Sequence, residues 1–119
     1  MKYIFEEREI QGGHTLDMYL KDVPTLEGSL MALECLFVND LGGNSRLIEE
    51  IQRVLNGETE KIDSGSNMFW YEIMPAVSSF QCTFEDYWGN FTISTQVLLE
   101  IATTWNDRLK EFCKKYKIR

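Results

Sequence analysis

At 119 residues, with 44% apolar and 13% aromatic side chains, the chain fits one domain (residues 1–119) with a single packed core, and it excludes a disordered segment. The formal net charge of −7 argues against a nucleic-acid binder, and no apolar run reaches signal-peptide or membrane-span length, so a soluble cytoplasmic protein is expected. The charge is uneven: residues 1–107 carry six basic and eighteen acidic side chains, whereas residues 108–119 carry six basic and one acidic.

Tyr3-Ile4-Phe5 and Thr15–Leu20 read as strands joined through the glycine-bearing turn Gln11-Gly12-Gly13-His14. In the second strand Leu16, Met18 and Leu20 share one face while Asp17 and Tyr19 share the other. Pro24-Thr25 then opens a helical pattern in which Leu26, Leu30, Leu33, Phe37 and Leu41 form one stripe, ended by Gly42-Gly43. Asn44 or Ser45 caps a second helix with Leu47, Ile48, Ile51, Val54 and Leu55 inward, and Asn56-Gly57 stops it.

Thr59–Ile62 predicts a strand that runs into a loop at Asp63-Ser64-Gly65-Ser66-Asn67. Met68–Met74 predicts a stronger strand, with Phe69, Tyr71 and Ile73 on one side and Met68, Trp70, Glu72 and Met74 on the other. Ser79–Glu85 follows, with Phe80, Cys82 and Phe84 opposite Gln81, Thr83 and Glu85. The turn "FEDYWGN" leads to a short last strand, Phe91-Thr92-Ile93. Ser94 or Thr95 then caps the longest helix, whose inward positions run Leu98, Ile101, Ala102, Trp105, Leu109, Phe112, Cys113 and Tyr116. The Lys and Arg residues of its last turns face the negative end of the helix dipole, which accounts for the basic tail without a ligand. The expected fold is α+β: an antiparallel sheet of five or six strands, in β-β-α-α-β-meander-α order, packed against helices.

Reactive chemistry finds little support in the residue pattern. Cys35, Cys82 and Cys113 are odd in number and lack a CxxC pair, so free thiols are expected and, with one histidine (His14), no zinc signature; no cofactor or metal is expected. A Cys–His dyad of His14 with Cys35 or Cys82 is the weaker reading beside buried inert thiols. The paired carboxylates Glu6-Glu7, Glu49-Glu50, Glu58/Glu60 and Glu85-Asp86 fall at turns, helix faces and strand ends, where hydration is the default. The face bearing Trp70 is the more unusual feature. The sequence leaves open whether helices cover both sides of the sheet; if they do not, a Trp and two Met lie bare, as at interfaces.

The segment FTISTQVLLEIATTW, Phe91 through Trp105, resembles small bacterial immunity proteins of contact-dependent growth inhibition and related polymorphic toxin systems. The likeness rests on Phe91-Thr92-Ile93-Ser94-Thr95, then Leu98-Leu99-Glu100-Ile101 and Trp105, and spans roughly the last third of the chain. It implies a non-enzymatic, cytosolic inhibitor that binds a cognate C-terminal toxin domain, often a nuclease, and occludes its active site or substrate groove. Chemistry alone then selects the partner-binding candidates: Glu85, Asp86, Tyr87 and Trp88 at the turn, Glu58, Glu60 and Asp63 nearby if the strands pair, and Trp70 and Glu72 on the face that lies bare if helices cover only one side. A small regulatory or adaptor domain for an endogenous protein or ligand is the alternative, and an enzyme with an unfamiliar site the third.

Overall fold

A computed structural model of the protein describes residues 1–43, 45–83 and 89–118. Strands β1 (Lys2–Ile10) and β2 (Gly13–Lys21) pair antiparallel over their whole length, from Lys2↔Lys21 to Ile10↔Gly13. Their turn is the two residues Gln11-Gly12, both at positive φ (50° and 79°), the tight geometry that matches the strands' twist. Gly13 and His14, expected in the turn, are therefore the first residues of β2. Leu16, Met18 and Leu20 are buried, as their alternation requires.

The helix expected from Pro24-Thr25 does not start there. Pro24 and Thr25 form a turn with Thr25 at φ 64°, and Glu27–Gly28 is a two-residue strand, β3. Helix α1 (Leu30–Cys35) begins at Ser29, whose hydroxyl accepts from the Ala32 N–H at 3.0 Å. It runs directly into a π-helical segment, Leu36–Leu41, closed by the Gly42 N–H on the Phe37 carbonyl at 3.1 Å. Leu33, Phe37 and Leu41 step by four with no compensating three, and the wider π turn keeps that spacing on the core side. Leu30, placed in the stripe by its spacing, is instead exposed.

Helix α2 (Arg46–Leu55) buries Leu47, Ile51 and Val54 and half-buries Ile48 and Leu55. Its N-cap residue is Ser45, with no side-chain capping bond; Asn44 lies outside the described residues. The strand expected at Thr59–Ile62 is shifted. β4 is Ile62–Gly65, so Asp63, Ser64 and Gly65 belong to the sheet rather than to a loop. The turn beyond it is built by Asp40, whose Oδ2 accepts from the Ser66 hydroxyl and from the Met68 N–H at 3.1 Å. β5 (Phe69–Ile73), β6 (Val77–Cys82) and β7 (Phe91–Ser94) complete the meander. The Ser94 hydroxyl then caps α3 (Thr95–Lys115), accepting from the Val97 N–H.

Among the described residues the seven strands make two antiparallel sheets, the β1–β2 hairpin and a five-stranded sheet ordered β3-β7-β6-β5-β4. The helices form a middle layer: α1 and α3 touch β2 on one side and the large sheet on the other, while α2 packs on β5 and α3. This is the expected α+β class, with the hairpin as a separate outer layer. The sheet's inner face carries a cross-strand aromatic row, Tyr71–Phe80–Phe91, with Phe80 and Phe91 stacked at 4.7 Å and 8°. The buried indole N–H of Trp105 donates to the Gly42 carbonyl at 3.0 Å, tying α3 to the end of the π segment. No helix among the described residues is long and apolar enough to cross a membrane.

Candidate functional site

Strand alternation and register decide which side chains the outer face of the large sheet presents. Asp63 pairs with Glu72, Glu72 with Ser79, Ser79 with Thr92, and Thr92 with Glu27, so one row crosses all five strands on that side. The next row is Gly65–Trp70–Gln81. Neighbouring strands lie about 4.8 Å apart, so Glu72 and Glu27, three strands apart, sit about 14 Å from each other. Between them the floor is hydroxylic and low, Ser79 and Thr92, and the result is an open groove of about 780 Å³. Three carboxylates line it, Glu27, Asp63 and Glu72, and no Lys or Arg is among the described lining residues.

No described helix covers this face. Trp70 is 65% exposed, Val77 48% and Met74 42%. A polypeptide that leaves a tryptophan so bare on a sheet face loses the burial energy of a large side chain, which marks a surface that meets something else. Met68, expected on the same side, precedes the strand and packs partly against the core.

Of the nine partner-binding candidates, the structure brings Asp63, Trp70 and Glu72 together on the groove. Glu58 and Glu60 fall in the connector between α2 and β4, both exposed and neither lining the groove, because β4 begins only at Ile62. Glu85, Asp86, Tyr87 and Trp88, with Phe84, lie outside the described residues. Glu27, Ser79, Gln81 and Thr92 join the site although the residue pattern does not mark them. The pattern places Glu27 in a helix, and the other three join the site only through a register that single-strand alternation does not reveal.

The two groove carboxylates at the β4–β5 edge share a cation. Lys61 Nζ lies 3.4 Å from Asp63 Oδ2 and 3.6 Å from Glu72 Oε2, and its ammonium is held above the ordinary lysine value, first by the Asp63 hydrogen bond and then by the attraction of both carboxylates. Trp70 lies across Gly65: a Cβ there would come within 3.1 Å of the indole Cε3. Arg46 at the rim donates to the Gly65 carbonyl at 2.5 Å.

Elsewhere the titratable groups are tied into structure. Glu50, expected to be hydrated, has a side chain only 12% exposed and accepts from the Tyr71 hydroxyl at 2.5 Å. Burial, and then the hydrogen bond to Glu50, push the Tyr71 phenol above its ordinary range. Cys35 is buried, and burial raises its thiol pKa, the opposite of what an activated nucleophile needs. Its imagined partner His14 stacks instead on Tyr116 at 3.8 Å. Among the described residues no three His, Cys, Asp or Glu side chains gather as a metal-binding group.

Glu7 is tied down by three donors. It accepts from Arg108 at 2.8 Å, Tyr116 at 2.7 Å and Lys115 at 3.1 Å, and these bonds, Arg108 first, lower its pKa to about 2. A carboxyl whose folded pKa lies below its unfolded value near 4.3 stabilises fully above that unfolded value, and loses the contribution as pH falls from there through about 2. Urea midpoints of the wild type and Glu7→Gln should therefore differ at pH 6 and converge as the pH is lowered toward 2. A pH-independent gap would mean that the ion cluster contributes nothing through its charge.

No family model matches the chain, and neither a curated protein nor a solved structure matches it.

Proposed function

We propose that this chain is a non-enzymatic immunity protein that, in the cytosol, binds the C-terminal toxin domain of a cognate effector and blocks its active site or substrate groove. The observation that carries this reading is the uncovered sheet face, where a bare tryptophan sits among carboxylates and no Lys or Arg is among the described groove-lining residues. A nuclease domain is basic because it must hold phosphates, so an inhibitor that offers carboxylates competes for the charges that hold nucleic acid. Trp70 supplies the desolvated anchor that charge alone does not, since electrostatics sets association rate and partner choice more than affinity.

The decisive experiment is co-expression with the C-terminal domain of the effector that this reading places immediately upstream. Growth should be restored, and the two proteins should co-elute as a complex; continued growth arrest would sink the reading. The groove's volume also falls within the range of small-molecule sites, which favours, as second reading, a regulatory domain for an endogenous cationic ligand. Under that reading the upstream domain would neither bind nor be neutralised.

A further inference from the structure

We infer that Trp70, Asp63 and Glu72 form a seat for an arginine side chain carried by the partner, and that Lys61 is the internal cation this arginine displaces. The inference rests on the reading above, that the partner is a basic protein. Asp63 and Glu72 face each other across β4 and β5, and like charges in that position repel. The chain tolerates them by holding Lys61 Nζ between them, so a cation is already required at this point. Lys61 is a weak occupant. It lies in the connector before β4, its side chain is half exposed, and both of its ion-pair distances exceed 3.3 Å.

Gly65 supplies the second half of the argument. Its missing Cβ lets the Trp70 indole lie across the neighbouring strand, and the rest of the ring stays open to solvent. A glycine within a strand weakens it and marks close approach of another group. Here that group is an indole fixed beside two carboxylates. A planar guanidinium matches such a place better than an ammonium, because it stacks on an aromatic face while its edge N–H groups reach carboxylates alongside. The groove lining supplies charge of the complementary sign, with no Lys or Arg among the described lining residues; Lys61 and Arg46 flank it, the first on the two carboxylates and the second on the Gly65 carbonyl.

The test uses the ¹⁵N-labelled full chain titrated with acetyl-Gly-Arg-Gly-Arg-Gly-amide and with its lysine counterpart. The arginine peptide should shift the Trp70 indole N–H and the amides of residues 63–65 and 70–72, and should bind roughly threefold more tightly than the lysine peptide. Trp70→Ala should weaken it roughly fivefold and Glu72→Gln roughly threefold, whereas Lys61→Met, which removes the competitor, should strengthen it by about twofold. Equal affinity for both peptides, shifts centred away from Trp70, or weaker binding by Lys61→Met would overturn the seat. Sedimentation supplies a separate arm: concentration-dependent association abolished by Trp70→Ala would make the occupant the basic 108–119 segment of a second copy, and would equally overturn it. The toxin domain separates the two proposals. Full-affinity binding of that domain by Trp70→Ala would remove the seat and leave the immunity reading intact. Peptide seated at Trp70 without protection of growth would remove the immunity reading alone.

Discussion

Replacing Gly28 by alanine should lower stability by about 3 kcal/mol, a large effect for one added methyl group. Gly28 has φ 102°, a backbone conformation that L side chains resist. Its Cβ would also lie 2.2 Å from the Asn90 carbonyl oxygen and 2.9 Å from the Phe91 Cα. Both atoms are backbone, so no side chain can rotate away. β3 would have to leave β7, taking with it the Ser29 N–H bond to Asn90 and loosening the cap of α1. Urea unfolding measures the effect, with a midpoint drop of roughly 2 M expected at the usual slope for a chain of this size. Gly57→Ala provides the comparison: its φ is 79° but nothing lies within 4 Å of the added carbon, so the loss there should be about 1 kcal/mol. Equal losses at the two positions would show that the collision with β7 is not what Gly28 avoids.

The second large effect is expected at Phe80, the middle of the aromatic row. Phe80 is buried, stacks on Phe91 at 4.7 Å, lies 5.0 Å from Tyr71, and meets Phe69 edge-on at 6.3 Å. Phe80→Ala removes a ring touched from three sides by groups that the strands hold in register, so the void collapses poorly and the cost should be about 4 kcal/mol. Gln81→Ala, one residue on and facing the open groove, should change stability by less than about 0.5 kcal/mol. Thermal or urea melts of the pair read both sides of β6 at once. A loss at Phe80 as small as that at Gln81 would mean that the inner face is not the core.

The contrast between those neighbours also explains what was legible in the sequence. Alternation at Phe69, Tyr71 and Ile73, and the three-and-four spacing from Leu98 to Phe112, give β5 and α3 unambiguously because burial on one side demands those periods. Trp70 and Glu72 followed from the same alternation. The start of α1 did not. Pro24 with Leu26 and Leu30 four apart imitates a helix, and only pairing with Thr92 and Phe91, more than sixty positions on, makes Glu27-Gly28 a strand. The sequence pattern places β4 too early for a related reason. Asp63, Ser64 and Gly65 have poor strand propensity, and they are extended because β5 pairs with them and Asp40 holds the turn that follows. The groove is assembled from five strands by register, and register is a tertiary property. The immunity reading came from a resemblance and from charge, and it remains the proposal that the co-expression experiment decides.

The bonds from Glu7 to Arg108, Lys115 and Tyr116 span 101, 108 and 109 positions of chain. During translation, the first hairpin therefore emerges long before the helix that receives it has been synthesised. Its apolar side, with Leu16, Met18 and Leu20, can meet α1 and the π segment early, but its contact with α3 waits until that helix has been made. A nascent chain stalled short of α3 lacks the helix that receives Glu7, and its hairpin then rests on α1 and the π segment alone, an incomplete layer that invites aggregation.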